Sequence, residues 1–115
     1  HGEAGVSIEQ MMSSDELTVL MLDLIFKDDL RLDSNDEIIL FINSLGSTTL
    51  MECLIVLKKV KEILSKMGIK LYDIIVGPKV TCQEMAGVSI SITKLDTDLK
   101  KYWDMPCSSL GYTKL

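Results

Sequence analysis

A continuous apolar run, Ile38-Ile39-Leu40-Phe41-Ile42, constrains this chain more than any other segment. It is rich in β-branched residues and bounded by turn formers, the signature of a strand covered on both faces. It ends in Asn43-Ser44-Leu45-Gly46-Ser47-Thr48-Thr49, a turn of small residues leading straight into a long periodic segment. There Leu50, Met51, Leu54, Ile55, Leu57, Val60, Ile63, Leu64 and Met67 make a broad apolar face. Lys58, Lys59, Lys61 and Lys66 take the other side, and Gly68 sits where a left-handed C-terminal cap is expected. Ile69 to Val76 reads as a second strand, which Gly77-Pro78 stops. Residues 38 to 76 thus predict a β-α-β unit with parallel strands and, by strong precedent, a right-handed crossover. The expected fold class is α/β: this unit plus additional strands and helices.

The flanks read as follows. Residues 1 to 10 carry two glycines and no helical pattern, as a strand end or loop would. Ser14 is the expected N-cap of a helix from about 15 to 27, with Asp15 and Glu16 where the helix dipole favours negative charge. Leu17, Leu20, Met21 and Leu24 follow at helical spacing. Lys27 to Asp36 reads as a loop. Beyond the second strand, a short helical turn is expected over Thr81 to Ala86. Val88, Ile90 and Ile92 alternate with Ser89, Ser91 and Thr93, the period of a half-buried strand. Asp96 caps a last short helix through about Trp103, and the tail from Pro106 to Leu115 reads as loop.

Size and charge narrow the function. A chain of 115 residues fits one small domain, and 47% hydrophobic with 25% charged residues argues against disorder. A net charge of -5 gives no electrostatic basis for direct nucleic-acid binding, which needs clustered Lys and Arg. No apolar run is long enough to span a bilayer as a helix. Cys53, Cys82 and Cys107 are widely spaced, and with a single His they predict no metal site. Their odd number and the lack of a signal peptide fit a cytoplasmic, reducing compartment. Cys53, on the apolar face of the long helix, reads as a buried reduced thiol.

Among chemistry-bearing groups, the turn into the long helix at Asn43 to Thr49 is a possible anion cradle, because free backbone N–H groups point outward there. It lacks the Gly-Lys-Ser/Thr ending of a nucleotide P-loop, and a tight βα connection is the preferred reading. Ser44 or Cys82 as a nucleophile would need His1 as its base, and nothing in the spacing supports that pairing. Glu3 and Glu9 are the carboxylates near His1 in sequence, and a carboxylate on one ring nitrogen can fix the imidazole tautomer. Gly2 and Gly5 leave room for a small ligand beside it. On the residues alone, a merely solvated or satisfied His remains the plainer reading.

A series of short motifs adds to this. His1-Gly2-Glu3-Ala4-Gly5, Asn43-Ser44-Leu45-Gly46, Val76-Gly77 and Glu84-Met85-Ala86-Gly87-Val88-Ser89-Ile90 occur in one order and spacing. Together they resemble the C-terminal part of the dihydroxyacetone-binding subunit family of dihydroxyacetone kinase, the DhaK family. The resemblance covers nearly the whole chain, 1-115, and implies the second α/β domain of a DhaK-like protein whose N-terminal domain precedes it. In that family the His of the opening motif bonds covalently to the ketone carbon of the substrate. The resemblance therefore implies substrate binding by His1, Gly2 and Glu3, with a hemiaminal on His1 Nε2. It implies a homodimer, no cofactor on this chain, and no catalytic residue within it, since the catalytic His and Asp come from the preceding domain.

Departures from the family pattern cluster. HGEPG is here His1-Gly2-Glu3-Ala4-Gly5, and the basic residue usual after it is replaced by Val6-Ser7-Ile8-Glu9. Asn-Asn-Leu-Gly-Ala-Thr-Pro-Leu is here Asn43 to Leu50, with Ser44, Ser47 and Thr49 substituted, and the family's Gly-Asn-Tyr/Phe-Met-Thr-Ser is here Gly77-Pro78-Lys79-Val80-Thr81-Cys82. Such changes are what relaxed kinase constraint with retained ligand binding would leave, and the family this chain resembles contains DhaQ-type co-activators, which bind dihydroxyacetone through the same His and engage a TetR-like transcription factor. A non-catalytic sensor of this type is the favoured expectation. The alternative is the dihydroxyacetone-binding subunit of a kinase, presenting the triose to a nucleotide-binding partner subunit.

Overall fold

The computed structural model of the chain describes residues 5, 7–28 and 30–115. The elements run α1 (Ser14–Lys27), β1 (Glu37–Ser44), α2 (Leu50–Lys66), β2 (Lys70–Gly77), β3 (Val88–Lys94), α3 (Thr97–Asp104), β4 (Cys107–Ser108) and β5 (Thr113–Lys114). The first three strands form one sheet in the order β2-β1-β3, with β1 central, parallel to β2 and antiparallel to β3. The β-α-β unit is thus present over β1, α2 and β2, and the chain is α/β.

Alternation along β1 sorts its side chains onto two faces. Ile38, Leu40 and Ile42 are fully buried against Cys53, Val56, Val60 and Leu64 of α2 and Leu22 of α1. Burying each such aliphatic side chain contributes roughly 1.5–3 kcal/mol, so this single layer between helices and sheet carries most of the apolar stabilisation. On the other face Ile39 is buried and Phe41 half-buried. There α3 covers the start of β1, where Leu99 and Trp103 line a hollow with Ile39 and Thr93. Polar contacts fasten α3 to β2: Trp103 Nε1 donates to Asp73 Oδ2 at 2.8 Å, and the Tyr72 hydroxyl donates to Asp104 Oδ2 at 2.5 Å. Lys100 reaches Glu37 Oε2 at 2.6 Å and lies over the Tyr72 ring.

Helix ends follow local chemistry. In α2, Thr49 accepts from Glu52 N while Glu52 Oε2 accepts from Thr49 N, a reciprocal capping box. At the other end Gly68 adopts φ +74°, with Ile69 N bonded to Leu64 O and Gly68 N to Ser65 O, the paired bonds of a left-handed cap. Three expectations need correction. The N-cap of α1 is Ser13 rather than Ser14, because Ser13 stands three residues before Glu16 and completes a capping box with it. Thr81 to Ala86 forms a single turn closed by Met85 N on Cys82 O, with Glu84 at φ +54°, rather than a helical turn, and Cys82 N and Met85 O bond to the β1–α2 connection. The tail is not all loop: β4 and β5 pair as a short antiparallel ribbon.

Candidate functional site

The C-terminal ends of β1 and β2 carry two connections, 44–49 and 78–87, which are stitched into one plate. Leu45 N bonds to Gly87 O, Ser47 N to Met85 O and Cys82 N to Leu45 O, at 2.8 to 3.1 Å. Asn43, only 2% exposed, holds the second loop from below. Its Nδ2 donates to Val80 O at 2.8 Å, and its Oδ1 accepts from Lys79 N at 3.0 Å and Val80 N at 2.9 Å. Thr48 Oγ1 accepts from Gly87 N at 2.8 Å. Gly46, at φ +146°, lets the two backbones meet: a Cβ there would lie 2.5 Å from the Cys82 carbonyl oxygen.

Beside this plate, between the N-terminal halves of α1 and α2, lies a groove of about 430 Å³. Leu17, Met21, Ile55, Val56 and Val88 supply apolar walls, and Ser14, Thr48 and Glu52 supply polar groups. Ser14 Oγ is buried there with no hydrogen-bond partner among the described residues. The two bonds from Thr49 hold the Glu52 carboxyl below its ordinary pKa. The segment leading from the opening motif enters α1 at Ser13, beside Ser14 on the groove wall. The arrangement can bind a small, partly apolar group, but holds no nucleophile–base pair among the described residues.

Of the expected site residues, His1, Gly2 and Glu3 lie outside the described residues. Glu9 is described and exposed. Ser44 is 1% exposed and committed to the turn, donating to Thr48 O and accepting from Gly46 N, a structural role that agrees with the tight-connection reading. Cys82 is exposed, and the His1 it would need as a base lies outside the described residues. Cys53 is fully buried, and burial followed by the Glu52 charge pushes its thiol pKa up, so it is an inert core residue. Among the described residues no group of His, Cys, Asp and Glu could hold a metal ion, and no helix is long and apolar enough to cross a membrane. Sequence reasoning missed the part played by Asn43, although an Asn closing an apolar strand before a small-residue turn is a signal for a loop anchor.

The Dak1 domain model matches residues 1–111. This chain belongs to the Dak1 domain family. It is 29% identical over 109 residues to the dihydroxyacetone-binding subunit DhaK of PTS-dependent dihydroxyacetone kinase 2 from Listeria innocua, covering 95% of the chain and 33% of that protein. It is 34% identical over 115 residues to the D-erythrulose kinase of Mycolicibacterium smegmatis, covering 99% of the chain and 20% of that enzyme. Among solved structures, the dihydroxyacetone kinase operon co-activator Dha-DhaQ superposes with a TM-score of 0.80 at 27% identity, over 91% of this chain and 33% of that one. The chain thus spans a third or less of the length of these relatives. The Dak1 match begins at His1, so the opening motif falls inside the family segment. Residues 44, 47, 49, 78–80 and 82, where the chain departs from the motifs it resembles, fall on the end plate or at the N-cap of α2, whereas the departures at 4 and 6–9 precede α1; the core-facing residues of β1 and α2 are apolar.

Proposed function

We propose that this chain is the C-terminal part of a DhaK-type polypeptide that holds dihydroxyacetone covalently on His1 and works as a ligand sensor. The observation that carries this reading is the Dak1 match from residue 1 to 111, which includes the His-Gly-Glu motif. In the adduct the unprotonated Nε2 of His1 forms a C–N bond to the ketone carbon. The carbonyl π pair moves onto oxygen, which takes up a proton as Nδ1 gives one up. Gly2 and Glu3 complete the binding segment, the glycine by leaving space and the carboxylate by fixing the tautomer.

The sensor role is supported by the fold match to the Dha-DhaQ co-activator and by the motif departures at 44, 47, 49, 78–80 and 82 that fall on the end plate. Altered loops over a kept core are what relaxed kinase constraint with retained ligand binding would leave. The output is a protein contact made by the ligand-bound state, with a TetR-like transcription factor, from a homodimer in the cytoplasm. A second reading, the dihydroxyacetone-binding subunit of a kinase, is favoured by the identity to the Listeria subunit. Both require His1. Intact-mass measurement after incubation with dihydroxyacetone should show an adduct that His1→Ala abolishes, and an adduct persisting in that variant overturns both. Robust triose phosphorylation with a nucleotide-binding subunit rejects the sensor in favour of the kinase.

A further inference from the structure

Helix α3 is held to the sheet in a different way from α2. Its eight residues are too few to stay helical without docking, since isolated helices shorter than about 12–15 residues are marginal in water. Yet every residue of α3 is at least partly exposed, whereas α2 buries Cys53, Val56, Val60 and Leu64. The contact beneath α3 is incomplete: Ile39, Leu95, Leu99, Tyr102 and Trp103 line a hollow of about 250 Å³. Its firm attachments are polar, namely Trp103 Nε1 on Asp73, the Tyr72 hydroxyl on Asp104 and Lys100 on Glu37. Bonds of this kind stabilise little when both partners can return to water.

Beyond α3 the chain turns back onto the helix. Pairing of β4 with β5 brings Lys114 to the C-terminal end of α3, where its ammonium donates to Trp103 O and lies 4.7 Å from the centre of the indole ring. A cation on a carbonyl of the last turn also complements the helix dipole. At the other end the β1–β3 ladder stops at Leu95, whose N–H is held by Glu37 O. Asp96 follows in an extended conformation and caps α3 through Leu99 N. Helix and ribbon are thus clasped to each other more closely than either is packed into the core.

We propose that residues 96–114 form a hinged strap that leaves the sheet as one unit, pivoting at Leu95-Asp96, while β1, α2 and β2 stay folded. Opening uncovers Ile39, which is 5% exposed when the strap is closed, and returns Glu37, Tyr72 and Asp73 to water. Lys114 is the clasp that makes ribbon and helix move together. None of these residues lines the groove between α1 and α2, so the inference stands apart from the ligand reading.

The test is amide exchange of the intact native polypeptide, read residue by residue in urea below the unfolding transition. The Tyr102 and Trp103 amides should exchange at least about a hundredfold faster than those of Leu40 and Ile42. Their urea dependence should be shallower, because opening the strap exposes less surface than unfolding. Lys114→Met keeps the aliphatic stem and loses the ammonium; it should speed exchange at Tyr102 and Trp103 about fivefold and leave Leu40 and Ile42 unchanged. Trp103→Phe, which loses the bond to Asp73, should do the same. Exchange at Tyr102 and Trp103 with the rate and urea slope of Leu40 means that α3 leaves only with the whole fold, and overturns the proposal. A Lys114→Met variant that speeds all four amides alike, or none, also overturns it. So do α3 amides with no protection at all, because no closed strap then exists.

Discussion

Replacing Asn43 with Ala isolates the anchor that joins the two loops of the end plate. The side chain makes three hydrogen bonds to the backbone of Lys79 and Val80. Each is worth about 0.5–1.5 kcal/mol net, for a nominal loss of about 3 kcal/mol. Lys79 and Val80 are exposed, so water can reach the freed groups and reduce the penalty. We expect Asn43→Ala to cost about 2 kcal/mol, which for a domain of this size lowers the melting temperature by roughly 8–10 °C. Urea unfolding followed by circular dichroism gives the free energy, and exchange at the Lys79 and Val80 amides shows whether the loop has come loose. Asn43→Asp keeps the acceptor for the two N–H groups but turns a carboxylate oxygen toward Val80 O. It should be less stable than Asn43→Ala at neutral pH and recover as the pH falls through the carboxyl range, where a protonated oxygen can donate again. A loss below about 0.5 kcal/mol in Asn43→Ala, with unchanged loop exchange, would refute the anchoring role.

Gly46→Ala meets both a left-handed backbone at φ +146° and a 2.5 Å approach to the Cys82 carbonyl; calorimetry should show at least about 2 kcal/mol of destabilisation. Thr49→Ala removes the cap of α2 and should cost about 1 kcal/mol in urea titrations. Because hydrogen bonds hold the Glu16 and Glu52 pKa values down in the folded state, their contribution is full above the ordinary carboxyl range and is lost as pH falls through the lowered folded values. Glu52→Gln should flatten that part of the stability–pH profile, and an unaltered acid limb would count against the capping box. In thiol titration of the folded chain, Cys82 and Cys107 should react promptly and Cys53 only after denaturant is added.

Much of the fold was readable from local pattern. The apolar run of β1, the periodic face of α2 and Gly68 after it each match a backbone period or a φ requirement, so the β-α-β unit could be placed residue by residue. The alternation of Val88, Ile90 and Ile92 likewise marked β3 as half-buried. The helical turn expected over Thr81–Ala86 failed because Cys82 N and Met85 O bond across to Leu45 and Ser47, partners nearly forty residues away. The N-cap of α1 was misplaced by one residue because Ser13 and Ser14 are both good caps, and only the distance to Glu16 decides between them.

The candidate site divides the same way. The His-Gly-Glu motif, the family and the tight βα connection are properties of residue order, and sequence alone determined them. The role of Asn43, the plate it anchors and the groove between α1 and α2 were decided by tertiary structure. Each of these depends on which backbone groups meet from distant parts of the chain, and hydrogen-bond satisfaction between non-neighbours leaves no periodic trace in a sequence.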